Sequence, residues 1–71
     1  MNRINPKKLL HSKWTAVAPV NREKHFMITD VEVDEEGQVI GCEIEAVLSR
    51  RQMQIDWSEL KDDARWLQGW K

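Results

Sequence analysis

The stretch VIGCEIEAVLS, residues 39–49, alternates apolar and polar side chains with the period of a β-strand. The apolar set comprises Ile40, Cys42, Ile44, Ala46 and Leu48. The two carboxylates between them, Glu43 and Glu45, fall on the opposite face of such a strand. One apolar and one charged face is typical of an antiparallel sheet that packs one side on a core. The alternation therefore predicts a mainly β fold.

The next segment, RQMQIDW, residues 51–57, repeats the pattern after a tight connection at residues 49–51. Its inward positions are Met53, Ile55 and Trp57, and its outward positions are Gln52, Gln54 and Asp56. We therefore expect Trp57 to belong to the core.

The preceding segment, HFMITDVEV, is rich in β-forming residues but changes phase. Its large apolar side chains are Phe26, Ile28, Val31 and Val33. The first two fall on one face of a regular strand and the last two on the other. A bulge or bend near Thr29–Asp30, the polar pair between them, would place all four inside. The loop DEEGQ that follows predicts a hairpin, with Gly37 at a left-handed position.

The ends of the chain carry different signals. Asn5 and Pro6 suit the start of a helical turn over residues 6–11. KWTAV then predicts a short strand that ends before Pro19, with a loop over residues 18–24.

The C-terminal SELKDDARWLQGW has helical composition. Ser58 or Asp62 would cap the helix, and Gly69 would stop it. On a helix, Trp66 and Trp70 share one face, so this segment would form an apolar lid on the sheet.

Together these signals predict a single domain over residues 1–71. We expect a small, strongly bent antiparallel sheet or an SH3-like partial barrel of three to four strands, with a short N-terminal turn and a C-terminal helical segment. A chain of 71 residues has little core, and its four tryptophans compensate because each buries roughly 150–250 Å².

A set of ordered motifs also marks the chain: KWTAV, KHF, EAVLS, IDWSEL and RWLQGW. This set, spread from about Asn5 to Trp70, resembles the tryptophan-rich conserved hypothetical proteins of bacteria. The resemblance implies a single small domain and supplies no catalytic residue.

Metal and catalytic signals are weak. His11, His25 and Cys42 lack the spacing of metal ligands, and Cys42 falls on the predicted inner face. The segment EVDEEGQVIGCE resembles a calcium-binding loop, but its flanks have β rather than helical periodicity, which favours a solvated hairpin. We expect no metal, no cofactor and no enzymatic activity.

Charge is distributed unevenly although the net charge is only −1. Residues 1–29 carry six Lys or Arg and one acid, whereas residues 30–45 carry seven acids and no base. The loop before the second strand and the turn before the last strand can adjoin in a small barrel. We therefore predict a candidate binding patch formed by Lys24, His25, Arg50 and Arg51 with Trp14, Trp66 and Trp70, for each of which the sequence leaves open a place in the core or on the surface.

Basic groups bind phosphate and exposed aromatic rings stack on bases, so the predicted partner is RNA or single-stranded nucleic acid. The alternative is a protein–protein interaction module with a groove lined by Trp and Phe. The basic groups could instead neutralise the acidic stretch or be simply solvated. A third class of function is a chain whose translation stalls when tryptophan is scarce, although its tryptophans are spaced rather than tandem.

The chain shows no signal-peptide pattern and no apolar run long enough to span a membrane. A cytoplasmic protein without membrane contact is the expectation.

Overall fold

Five strands form one antiparallel sheet in the computed structural model of the chain, which describes residues 1–71. The strands are β1 (Lys13–Val20), β2 (Glu23–Val33), β3 (Val39–Ala46), β4 (Gln52–Gln54) and β5 (Trp66–Gln68). They lie in the order β4-β3-β2-β1-β5. The two edge strands do not pair, so the sheet is not closed. The prediction of a mainly β, antiparallel domain is confirmed, with five strands rather than three to four.

The predicted bulge in β2 is present. Ile28 pairs with Ile44 and Asp30 pairs with Glu43, so Thr29 is an extra residue opposite β3. After this reset, Val31 faces Cys42 and packs on the core. The phase change in the sequence thus corresponds to a break in the ladder that turns Val31 toward the face that carries Phe26 and Ile28.

A second irregularity, which the sequence analysis did not predict, lies in β3. Glu32 pairs with Gly41 and Val33 with Val39, leaving Ile40 as an extra residue. Val39 turns inward in its place, and Ile40 is exposed. The expectation that Ile40 faces the core is therefore wrong.

Two further apolar positions at strand ends are also exposed, contrary to prediction. Leu48 lies in the turn after β3 and is 76% exposed. Val33 is the last residue of β2, beside the hairpin loop, and is exposed there. In that loop Gly37 has φ of +82°, as predicted for a left-handed position.

Pro19 does not end β1, contrary to prediction. The strand continues to Val20, and only Asn21 and Arg22 form the turn into β2. Proline is tolerated because the register between β1 and β2 is irregular between Thr15 and Val20, and β5 covers only the earlier part of β1.

The C-terminal segment is not a helix. A short 3₁₀ turn over Trp57–Lys61, capped by the Asp56 carboxylate, precedes the strand β5. β5 pairs with the edge of β1, which provides hydrogen-bond partners for its backbone. An isolated helix as short as this segment would be only marginally stable in water. Tertiary context here overrides the helical composition of the segment.

The core lies on the inner face of the sheet and contains eight buried apolar side chains: Leu9, Trp14, Phe26, Ile28, Cys42, Ile44, Ala46 and Leu60. Met53, Ile55 and Trp57 pack against it, as predicted. The N-terminal turn is a 3₁₀ turn over Pro6–Lys8, and the Asn5 side chain accepts a hydrogen bond from the backbone N–H of Lys7.

Candidate functional site

Trp66 and Trp70 lie on opposite faces of the sheet, although a regular helix or strand would place residues four apart on one face. Trp66 pairs with Ala16 on the inner face, and its ring meets the edge of Phe26 with centroids 5.1 Å apart. Gly69, at φ of +81°, then redirects the backbone. Trp70 consequently folds over the outer face, where it is 44% exposed.

The outer face around Trp70 holds a cation and a second ring. The Lys13 ammonium lies 4.7 Å from the centre of the Trp70 ring, and the His25 ring lies 6.0 Å from it. The indole N–H of Trp70 donates to the carbonyl of Phe26 at 3.0 Å. This hydrogen bond and the Lys13 contact hold the indole in place while leaving part of it open to solvent.

The last residues of the chain are also tied to this face. The Thr15 hydroxyl donates to the Gly69 carbonyl and accepts from the backbone N–H of Lys71. The carbonyl oxygen of Lys71 lies 3.1 Å from Nε2 of His25. These contacts hold the C-terminal residues, including Trp70, against β1 and β2.

The turns that carry the predicted cations adjoin, but Arg51, although its side chain is about half exposed, is paired with a carboxylate. Its guanidinium donates twice to the buried carboxylate of Glu23, through Nε at 3.1 Å and through a terminal nitrogen at 2.5 Å. The Ser49 hydroxyl also donates to Glu23. These hydrogen bonds, the one from Arg51 foremost, lower the pKa of Glu23 to about 2. Arg51 therefore joins two turns and is not a free cation.

Lys24 and Arg50, in contrast, are exposed and form no ion pair. The backbone N–H of Val47 donates to the carbonyl of His25, so the turn that ends in Arg50 lies beside the strand that carries His25. Four members of the predicted patch, namely Lys24, His25, Arg50 and Trp70, thus come from adjoining segments.

Two other predicted members lie elsewhere. Trp14 is 2% exposed, and its indole N–H donates to the Ser12 hydroxyl at 2.8 Å, so it belongs to the core. Trp66 faces a groove on the inner side. Lys13 was not predicted to join the patch, because its approach to Trp70 depends on the pairing of β5 with β1.

The groove is a cavity of about 440 Å³ on the inner face, between β4 and the second half of β1. We call it the inner groove. Its apolar lining includes Ala16, Phe26, Ile44, Met53, Ile55 and Trp66. The indole N–H of Trp66 is buried and has no hydrogen-bond acceptor in the protein. Sequence reasoning included a groove lined by Trp and Phe as an alternative, but it did not place β4 or Arg65 beside it.

The candidate metal and nucleophile positions do not form a site. The structure brings no three His, Cys, Asp or Glu side chains together as a metal-binding group. Cys42 is buried, and this burial raises the pKa of its thiol to about 11, which suppresses the reactive thiolate. Within the calcium-like loop, the Asp34 carboxylate accepts hydrogen bonds from the backbone N–H groups of Glu36 and Gln38, which stabilise the hairpin.

None of the helical segments has the length and apolar character required to cross a bilayer.

Comparison with known proteins gives a family match over most of the chain. No curated protein and no solved structure matched this sequence. Residues 12–71 match the family model described as tryptophan-rich protein (DUF2389), which spans all five strands. The chain therefore belongs to the tryptophan-rich protein family DUF2389.

Proposed function

We propose that the protein is a small non-enzymatic binding domain whose outer face contacts RNA or single-stranded nucleic acid. The observation that carries this proposal is the partly exposed ring of Trp70, held by Phe26 and flanked by Lys13 and His25. Single-stranded nucleic acid is bound by such combinations, because a base stacks on the aromatic ring while cations bind the phosphates. In this proposal Trp70 supplies the stacking surface.

The unpaired cations supply the phosphate contacts. Lys24 and Arg50 have no carboxylate partner, and both adjoin the strand segment that carries His25. A nucleic-acid strand with one base stacked on Trp70 would therefore place its neighbouring phosphates toward Lys24 and Arg50. Arg51 contributes indirectly, because its pairing with Glu23 removes the negative charge of a carboxylate from the vicinity of the site.

Acidic side chains limit the extent of the site. Glu45 pairs with Met27 across β2 and β3 and accepts a hydrogen bond from Gln52. Met27 lies two residues beyond His25, so a negatively charged region begins next to the proposed contact surface. We therefore expect a short footprint of a few nucleotides near the turns rather than a path across the whole sheet.

The test is a fluorescence anisotropy titration of a labelled oligouridylate dodecamer at low salt. Trp70→Ala should weaken binding by about tenfold, since stacking of one base contributes about 1–3 kcal/mol. Lys24→Ala with Arg50→Ala should weaken binding and reduce its salt dependence, because fewer counterions are released. Arg51 is left unchanged, since its removal would strand the buried Glu23 carboxylate.

The matched control removes two other lysines. Lys7→Ala with Lys8→Ala changes the net charge equally but lies in the N-terminal 3₁₀ turn. It should leave affinity within about twofold of the parent. Absence of binding by the parent at low salt, or equal losses from the two double variants, would contradict the proposed site.

A further inference from the structure

The inner groove carries a second inference, independent of the proposed nucleic-acid contact. We propose that it binds an extended segment of a partner protein, which pairs with the free edge of β4 and brings a carboxylate to Arg65. The partner is thus defined by its chemistry: a mainly apolar strand with one acidic side chain.

The boundaries of the groove indicate an extended occupant. β4 is an edge strand, and its consecutive residues Met53 and Gln54 both line the groove. The groove therefore runs along the edge of β4, where backbone N–H and C=O groups lack a sheet partner. Addition of a strand to such an edge is a common mode of peptide recognition.

The opposite boundary is unsuited to strand addition. β5 pairs with β1 only from Trp14 to Ala16, and the backbone N–H of Val17 makes the last contact, to Arg65. Beyond it, Pro19 has no N–H to donate. This side can therefore contact side chains of an incoming segment, while β4 provides the hydrogen bonds to its backbone.

The lining favours apolar side chains in that segment. Phe26, Met53 and Ile55 contribute to the groove, and Val20 lies at the groove with 69% of its surface exposed. Burial of an apolar side chain here would remove surface on both partners from water, and this burial provides the main attraction.

The charges select a carboxylate. Glu23 and Arg51 line the groove but neutralise each other. Arg65 also lines it, and it forms no ion pair. The adjacent Trp66 has a buried N–H without an acceptor in the protein. An acidic group that reaches this end of the groove therefore finds a guanidinium free of any ion pair.

A second acidic group would be disfavoured. Glu59, in the second 3₁₀ turn, is the other charged residue of the lining without an ion pair. Repulsion from this carboxylate would oppose a second acidic residue in the segment.

The experiment is a selection of random linear dodecapeptides displayed on phage, using the intact protein as bait. We expect enrichment of peptides in which apolar and polar residues alternate and which carry one Asp or Glu. A synthetic peptide with the enriched sequence should shift backbone NMR signals of β4 and the indole signal of Trp66. Failure to enrich any sequence, or a peptide whose shifts lie outside the groove, would overturn the proposal.

Charge variants test the role of Arg65. Arg65→Glu should weaken binding of the selected peptide by about tenfold or more, because a charge-assisted hydrogen bond is lost and charge repulsion is added. Arg22→Glu makes the same charge change in the β1–β2 turn, outside the lining, and should leave affinity unchanged. Equal effects of the two variants would show that Arg65 has no specific role.

The two proposals can fail separately. Trp70→Ala should leave peptide binding intact, and Arg65→Glu should leave oligouridylate binding intact. Loss of peptide binding in the Trp70→Ala variant would contradict the assignment of the peptide to the inner groove.

Discussion

Two tryptophans four residues apart, Trp66 and Trp70, have opposite environments in this small sheet. Trp66 packs edge-on against Phe26 on the inner face and has a buried, unpaired N–H. Trp70 lies on the outer face, is partly exposed, and donates its N–H to the Phe26 carbonyl. The two indoles therefore contact the same residue of β2 from the two sides of the sheet.

This difference shows how a short C-terminal segment stabilises a sheet that does not close. One indole completes the core, while the other covers part of the opposite face, and Gly69 changes the direction between them. The arrangement leaves two separate surfaces, the inner groove beside Trp66 and the outer face around Trp70.

The largest effect is expected from removal of residues 64–71. The truncation deletes β5 and both indoles together, and a domain with a total stability of about 5–15 kcal/mol should not tolerate it. Circular dichroism should show loss of cooperative thermal unfolding. The control deletes only residues 69–71, which keeps β5 and Trp66, and it should still fold. A truncated protein lacking residues 64–71 that melts at the parent temperature would contradict the structural role of the segment.

Single substitutions should separate the two indoles. Trp66→Ala should lower the free energy of unfolding by about 3 kcal/mol, because it opens the core beside Phe26. Trp70→Ala should cost about 1–2 kcal/mol, from one hydrogen bond, a cation–π contact and partial burial. Urea unfolding measures both. A larger cost for Trp70 than for Trp66 would reverse the comparison.

Gly69 tests the change of direction itself. A β-carbon at Gly69 would meet no atom within 4 Å, so Gly69→Ala adds strain only through the positive φ. The expected cost is about 1 kcal/mol. Gly37→Ala is a matched control, with φ of +82° and equally open surroundings, in the distant β2–β3 hairpin. Both should lose similar stability in urea, but only Gly69→Ala should change the fluorescence of Trp70.

An effect confined to acid is expected on the groove side. The folded-state pKa of Glu23 lies at about 2, below its ordinary value of 4.5. Its contribution to stability is therefore complete above pH 4.5 and is lost as the pH falls toward about 2. Urea midpoints across this range should decline, and Glu23→Gln should reduce the decline. Glu59 is an exposed carboxylate without an ion pair, so Glu59→Gln should leave the decline of the urea midpoint unchanged.

The sequence predicted those parts of the fold that local periodicity controls. The alternation in β3 and β4 and the phase change at Thr29 correspond to the observed strands and bulge, because a buried face imposes a period of two. The bulge at Ile40 could not be predicted from the alternation, because Val39 beside Ile40 is also apolar and packs on the core in its place. The strand β5 was missed because three residues carry too little periodicity and their partner, β1, lies about fifty residues earlier.

The candidate site was predictable only in part. The adjoining of the two turns followed from the expected topology, so Lys24, His25 and Arg50 were placed near one another. The pairing of Arg51 with Glu23 was not foreseen, because it depends on how the turn before β4 lies against the start of β2. Lys13 and Arg65 depend on how β5 docks, which is a tertiary feature that composition does not encode.

The most direct test of the central claim, that the two indoles belong to separate surfaces, is the indole region of a ¹H–¹⁵N NMR spectrum. The four tryptophans give four N–H signals, which single substitutions can assign. During titration with the oligouridylate dodecamer at low salt, we expect the Trp70 signal to shift while the Trp66 signal stays in place. A Trp66 signal that moves together with that of Trp70, or moves alone, would contradict the separation of the two surfaces.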